Sequence, residues 1–319
     1  MPQRLKNRLS HALLAVAVTT SAVAAGATAA QASTPPTAHA ATAHAATAQQ
    51  AVASAPQAAT ALASQTADAP AVRAQAAMVV DATTGEVHFS KDADLRRPVA
   101  SITKAMTAYT VLKQAKPTDV VEVTAADVRH GSRGGASVAH LRAGDRLTVE
   151  ELLYGLMLPS GADAAHALAR AYGPGVGNFT AKMNATAREL GMKDTLYVNA
   201  DGMPTSGGGY STARDQVRLT QAALRNPTIK KIASTRQYSV PRSAEHKAYS
   251  WRNTNRLLAT PGAIGLKTGF TRAAGYTLAF AAERDGTRLV GVILGGTTSA
   301  GRFQSAQTLL DWASANSRA

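Results

Sequence analysis

The sequence predicts an α+β fold, an antiparallel sheet flanked by helices plus a helical region. Three observations lead there: strand-like runs stand at both ends of the globular part, helical apolar spacing fills the middle, and the last strand candidates form a meander. Strands drawn from both chain ends would complete one sheet.

The chain has 319 residues, and its beginning does not read as globular. Met1 to His11 carries Arg4, Lys6 and Arg8, Ala12 to Gly26 is apolar and small, and Ala30-Gln31-Ala32 forms an A-x-A site before Ser33. Residues 1–32 therefore read as a secretory signal peptide, and export is expected, to an extracellular or wall-associated location. Residues 33–72 are almost all Ala, Thr, Pro, Gln and Ser, with too few large apolar groups to offset chain ordering, which predicts an extended or disordered spacer. His39 and His44 lie in this tract, but two histidines in a flexible segment are too weak a pair to be read as a metal site. Residues 73–319 are left as one folded unit, and they need no cofactor.

Within that unit, Met78 to Asp81 and Glu86 to Phe89 read as a hairpin turning at Thr83, Thr84 and Gly85. Arg97 to Gln114 follows as a helix opened near Ser101, with Pro98 upstream and Ile102, Met106, Tyr109, Val111 and Leu112 at helical spacing. Val120 to Val123 is a short strand, and Val128 to Gly144 a glycine-rich loop followed by a strand and turn. Leu147 to Met157 is helical, with Glu150 and Glu151 near the positive end of its dipole. Proline and glycine stop that helix at Leu158 to Gly161, and Asp163 to Tyr172 restarts it, so Ser160 is presented on a tight connection. Helices are expected at Phe179 to Leu190, Ser211 to Leu224 and Pro227 to Ala233, a glycine-rich loop at Asn199 to Gly209, and a strand at Arg236 to Pro241. The meander runs through Gly265 to Thr271, Gly275 to Glu283 and Arg288 to Gly295, turning at Arg284, Asp285 and Gly286, and Arg302 to Ala315 closes the chain as a helix.

Composition narrows the chemistry. Cysteine is absent, which removes disulfides and thiolate metal sites. The formal net charge is +14, which suits an anionic cell-wall polymer or membrane surface; nucleic acid is not expected, because aromatics are only 5% and no nucleic-acid motif occurs.

Three short motifs carry the chemistry in order: Ser101-Ile102-Thr103-Lys104, Ser160-Gly161-Ala162 and Lys267-Thr268-Gly269. Lys104 lies one helical turn beyond Ser101 on the same face, within reach of its hydroxyl. A serine needs a base, and a lysine serves as one only if burial or neighbouring positive charge lowers its pKa. Lys267 can supply such charge; with the Thr268 hydroxyl on an edge strand it can also hold a carboxylate, and Gly269 permits close approach of a ligand. Ser160 can relay a proton. Taken alone, Ser-x-x-Lys is more often a helix cap followed by a solvated lysine.

The ordered set S-x-x-K, S-G-x and K-T-G resembles that of penicillin-binding proteins and serine β-lactamases. The flanking text RPVASITKAMTA, LTVEELLYGLMLPSGADAAHALA, FTAKMNATARELGMKDTLYVNADG, YSTARDQVRLT, NTNRLL and GLKTGFTRAAGYTLA is similar to the low-molecular-mass D-alanyl-D-alanine carboxypeptidases over about Ala76 to Ala313. The resemblance implies a β-lactamase/transpeptidase-like fold with its active-site cleft between the sheet and the helical region. Ser101 would be the nucleophile, Lys104 the general base and Ser160 the proton relay; Lys267 and Thr268, on the strand with Gly269, would bind the substrate carboxylate, and the N–H groups of Ser101 and Phe270 would form the oxyanion hole. Substrates would be peptidoglycan stem peptides ending in D-Ala-D-Ala, with β-lactams as acylating mimics.

One position departs from the family pattern. Ala162 stands where most members carry asparagine, which removes a donor and an acceptor and implies weaker hydrolysis or a lean towards transpeptidation. A β-lactamase is a further alternative, although no Glu-x-x-x-Asn follows Ser160 to drive deacylation and Glu189 falls in a helical segment. A wall-binding module without turnover is another, opposed by the retention of Ser101, Lys104, Ser160 and Lys267. Asp163 reads as a helix-start acid, Asn199, Asp201 and Gly202 as turn residues, and Asn253 and Asn255 are open between lining the cleft near Lys267 and a structural role.

Overall fold

A computed structural model describes residues 69–316. The expected signal peptide, most of the spacer and both His39 and His44 lie outside the described residues.

Nine strands and eight α-helices make up the described part. The main sheet is fully antiparallel in the order β2-β1-β9-β8-β7, formed by β1 (Ala76–Asp81), β2 (Val87–Lys91), β7 (Ala263–Thr271), β8 (Gly275–Arg284) and β9 (Thr287–Gly296). The first and last strands of the described part meet at its centre, where β1 pairs with β9 as Met78↔Val292 and Val80↔Val290. The β8–β9 turn falls on Asp285 and Gly286, both at positive φ (50° and 84°), the conformation a two-residue hairpin requires. β7 is the sheet edge, as the carboxylate-binding reading requires.

Period-two alternation divides the sheet between two cores. Val79, Leu278, Phe280, Leu289 and Ile293 face Ala306, Leu309 and Leu310 of the last helix, α8 (Ser299–Asn316). Met78, Val80, Ala281, Val290 and Val292 face the helical region on the other side. That region contains α1 (Thr103–Leu112), α2 (Ala125–Gly131), α3 (Val149–Met157), α4 (Ala162–Tyr172), α5 (Val176–Glu189), α6 (Ala213–Arg225) and α7 (Pro227–Ser234). Each fully buried leucine or isoleucine here contributes about 1.5–3 kcal/mol. No described helix is long and apolar enough to cross a membrane.

Several expectations are corrected. The stretch expected to begin a loop at Val128 opens instead within α2, where Thr124 accepts from Asp127 N and Asp127 accepts from Thr124 N in a reciprocal cap. The strand expected before Gly144 does not form, because Ala139 N and Leu141 N are taken by the Asp163 carboxylate rather than by a neighbouring strand. The helix expected from Leu147 begins at Val149, its first residues being drawn into β4 (Arg146–Thr148), which pairs with β3 (Val120–Glu122). Sequence reading also missed β6 (Tyr249–Arg252), which pairs with β5 (Gln237–Val240). Val72 and Ala74, at the end of the expected spacer and just beyond it, are already buried against the α8 side of the sheet.

Candidate active site

Ser101 sits in a 3-10 turn, Ala100–Ile102, that feeds directly into α1. The turn is pinned from three sides. Ala100 adopts φ 52°, an unfavourable region for a residue with a Cβ. Thr277 Oγ1 on β8 donates to Val99 O at 3.0 Å. Glycines stand where strand and loop touch the turn: a Cβ on Gly202 would lie 2.0 Å from Ala100 O, and one on Gly269 would lie 2.9 Å from Ser101 N and 2.4 Å from Thr277 Oγ1.

Lys104, one turn along α1, reaches back as its spacing predicts. Its Nζ donates to Ser101 Oγ at 2.9 Å and to Asp201 O at 2.7 Å. Asp201 is held in turn by His130, whose Nε2 lies 2.7 Å from Oδ2, and by Met203 N, which donates to Oδ1 at 2.9 Å. Asn199 shapes the turn by accepting from Gly202 N and donating to Met203 O. The expected turn role of this segment therefore holds, and it adds an acceptor, the Asp201 carbonyl, that sequence reading did not assign.

Lys104 is 1% exposed. Burial brings its pKa down to about 8, against the opposing pull of the Asp201 and Asp163 carboxylates. Lys267 is also 1% exposed and is pushed well below the usual lysine value, first by burial and then by Lys104 and Arg302. Arg302 is lowered to about 10, chiefly by burial. An amine whose burial, rather than a neighbouring cation, favours its neutral form, set beside a serine hydroxyl, is the arrangement that serine activation needs.

Ser160 lies on the α3–α4 connection at φ 70°, with its buried Oγ lacking any hydrogen-bond partner. The tight turn depends on Gly161, where a Cβ would meet Gly155 O at 2.7 Å. Asp163 does more than start a helix. It is 2% exposed and its carboxylate accepts from Ala139 N, Leu141 N and Ala164 N at 2.8, 3.0 and 2.9 Å, so it ties α4 to the loop forming one cleft wall. Ala162 is fully buried, donates its N–H to Ser137 O at 2.8 Å and does not line the cleft.

The cleft encloses about 640 Å³. Ser101 and Ser160 lie in it between Thr268 to Ala273 on one side and Gly134 to Ser137 on the other. Thr268 Oγ1 lies 2.7 Å from Thr254 Oγ1, and the half-exposed Phe270 ring stacks on Tyr276 at 4.4 Å. Lys267 does not reach the cleft surface; its Nζ donates to Thr268 O at 3.0 Å beneath it. Arg302 does reach it, donating through Nη1 to Gly269 O at 2.7 Å while its buried Nε has no partner. Nothing near Arg302 in the sequence marks it, because packing of α8 on β8 and β9 carries it there. Of the segment whose role was open, Thr254 lines the cleft, whereas Asn253 donates to Ala233 O and Thr235 O and Asn255 accepts from Leu257 N.

Ser101, Lys104, Ser160, Lys267, Thr268, Gly269 and Phe270 thus converge on one cleft or lie directly beneath it. The family model for D-alanyl-D-alanine carboxypeptidases matches residues 63–298. The chain belongs to the D-alanyl-D-alanine carboxypeptidase family. Among its carboxypeptidase relatives, the D-alanyl-D-alanine carboxypeptidase of Streptomyces sp. (strain K15) is 38% identical over 256 residues, covering 76% of this chain and 88% of that protein. A crystal structure of the Streptomyces K15 DD-transpeptidase superposes with a TM-score of 0.73 at 37% identity, covering 77% of this chain and 98% of that one. The Bacillus subtilis carboxypeptidase DacF is 32% identical over 75% of this chain, and the match spans 62% of its own length. The fold of this carboxypeptidase-family chain is accordingly that of the DD-peptidases, mixed α and β as expected.

Proposed function

We propose that this serine-type carboxypeptidase removes the terminal D-alanine of a peptidoglycan stem peptide through an acyl-enzyme on Ser101. The observation that carries the reading is the 2.9 Å contact between Ser101 Oγ and a Lys104 amine whose burial brings it to about 8. Neutral Lys104 takes the Ser101 proton as Oγ attacks the carbonyl between the two D-alanines. The N–H groups of Ser101 and Phe270 receive the developing oxyanion. Ser160, with its unpartnered hydroxyl in the cleft, passes a proton to the leaving amine. Thr268 and Arg302 hold the terminal carboxylate, and Lys267, buried with its amine on Thr268 O, props the strand from below. Water then cleaves the ester. β-Lactams acylate the same serine.

A second reading, transfer of the acyl group to an amine, is favoured by Ala162 in place of asparagine and by the description of a structural neighbour as a DD-transpeptidase. Incubating the protein with a D-Ala-D-Ala peptide, with and without glycine as acceptor, separates the two. Free D-alanine matched by hydrolysed peptide supports the carboxypeptidase reading; D-alanine matched by glycyl product supports transfer; no D-alanine from a folded protein overturns both. Export directed by residues 1–32, and attraction of a +14 chain to anionic wall or membrane surfaces, complete the proposal.

A further inference from the structure

Beside the Asn253–Asn255 segment lies a second cavity of about 410 Å³, and its polar lining is cationic or neutral. Arg236, Arg252 and Arg256 line it, no carboxylate does, and none of the three pairs with an acid among the described residues. Two guanidiniums are held in place: Arg236 Nη2 donates to Leu258 O at 2.7 Å, and Arg256 rests over the Phe303 ring at 5.2 Å. The lining also includes Asn255, which is 3% exposed, and its buried Nδ2 has no hydrogen-bond partner although its Oδ1 accepts from Leu257 N.

Three guanidiniums line one cavity with no carboxylate among them, and a buried amide donor without an acceptor lies beside them, so positive charge gathers there unopposed. One anionic occupant offsets that charge. It must be an anion that accepts several N–H bonds at once, which favours a phosphate group over a halide or a lone carboxylate. The volume exceeds that of inorganic phosphate, and Leu258 and Ala259 add apolar wall, so the group should carry an organic substituent. We infer that this cavity is a binding site for a phosphate ester, held by Arg236, Arg252 and Arg256, with the Asn255 amide packed beneath them. It adjoins the cleft without being part of it: Thr254 of the same segment lines Ser101's cavity, and Arg256 and the cleft's Arg302 both rest over the Phe303 ring.

The test is titration calorimetry of the full chain with glycerol 3-phosphate and with inorganic phosphate at low ionic strength. The comparison uses Arg252→Gln and Asn255→Asp, of which the second keeps the Oδ1 acceptor but replaces the free donor with a repelling oxygen. Saturable one-site binding of glycerol 3-phosphate, stronger than that of inorganic phosphate and weakened about tenfold or more in each variant, is expected. A penicillin adduct on Ser101 reports that each variant is folded. Absence of saturable binding, or equal binding by wild type and both folded variants, overturns the inference. Vesicles of phosphatidylglycerol against phosphatidylcholine then identify the source: variant-sensitive binding to the former assigns a lipid headgroup, and variant-insensitive binding alongside variant-sensitive glycerol 3-phosphate binding assigns a soluble phosphate ester.

Discussion

Lys104 sets the pH dependence of the reaction. Its folded pKa of about 8 lies below the ordinary 10.5, so the base form increases as pH rises through 8. Acylation kcat/KM is expected to climb through pH 7, reach half its plateau near pH 8 and stay level above, as measured with a chromogenic β-lactam. Lys104→Arg keeps the charge and loses the base, and should lower acylation by about 10²- to 10⁴-fold. The same burial opposes folding. Below pH 8 the native state must hold a buried charge, and between pH 8 and 10.5 the unfolded chain binds more protons, so stability rises with pH there. Lys104→Met should therefore be more stable than wild type by about 1–3 kcal/mol at pH 7, with the gain shrinking towards pH 10.5; thermal unfolding at both pH values reads this out. Ser101 and Lys104 were legible because i, i+3 spacing fixes their contact wherever a helix forms. The Asp201 carbonyl was not, since a backbone acceptor carries no side-chain signature and lies 97 residues away.

Among the elements, the α3–α4 connection and β7 position the remaining groups. Removing the Asp163 carboxylate strands three buried N–H groups, so Asp163→Ala should cost about 3 kcal/mol or more in urea unfolding, and Asp163→Asn, which keeps one acceptor oxygen, should cost less. The loss of acylation in Asp163→Ala should exceed its loss of fold, because the freed loop forms a cleft wall. Proline, glycine and helical period announced the break at Leu158 to Gly161, and the three-strand meander was legible from alternation. Short elements were not: α2 hides behind a Thr124–Asp127 cap followed by weakly apolar residues, and β6 is four residues whose pairing with β5 is set by tertiary packing.

Across the described fold, one sheet joins the first strands to the last, and the active site depends on that junction. β1 lies at its centre, β7 brings the Lys267-Thr268-Gly269 motif to its edge, and α8 covers its far face while delivering Arg302 to the cleft. Arg302→Ala should leave the fold intact yet lower kcat/KM on a D-Ala-D-Ala peptide by about 10²-fold, with less effect on a substrate whose terminal carboxylate is amidated. Sequence order alone could not reveal this residue, because its role arises from how the last helix crosses the sheet.

Ser101, activated by Lys104, is the residue acylated in the cleft. Intact-protein mass spectrometry after mixing with benzylpenicillin, followed by peptide mapping, tests it directly. One adduct per chain is expected, on Ser101, lost in Ser101→Ala and formed faster at pH 8.5 than at pH 6.5. An adduct at another residue, or no adduct from a folded protein at either pH, would contradict it.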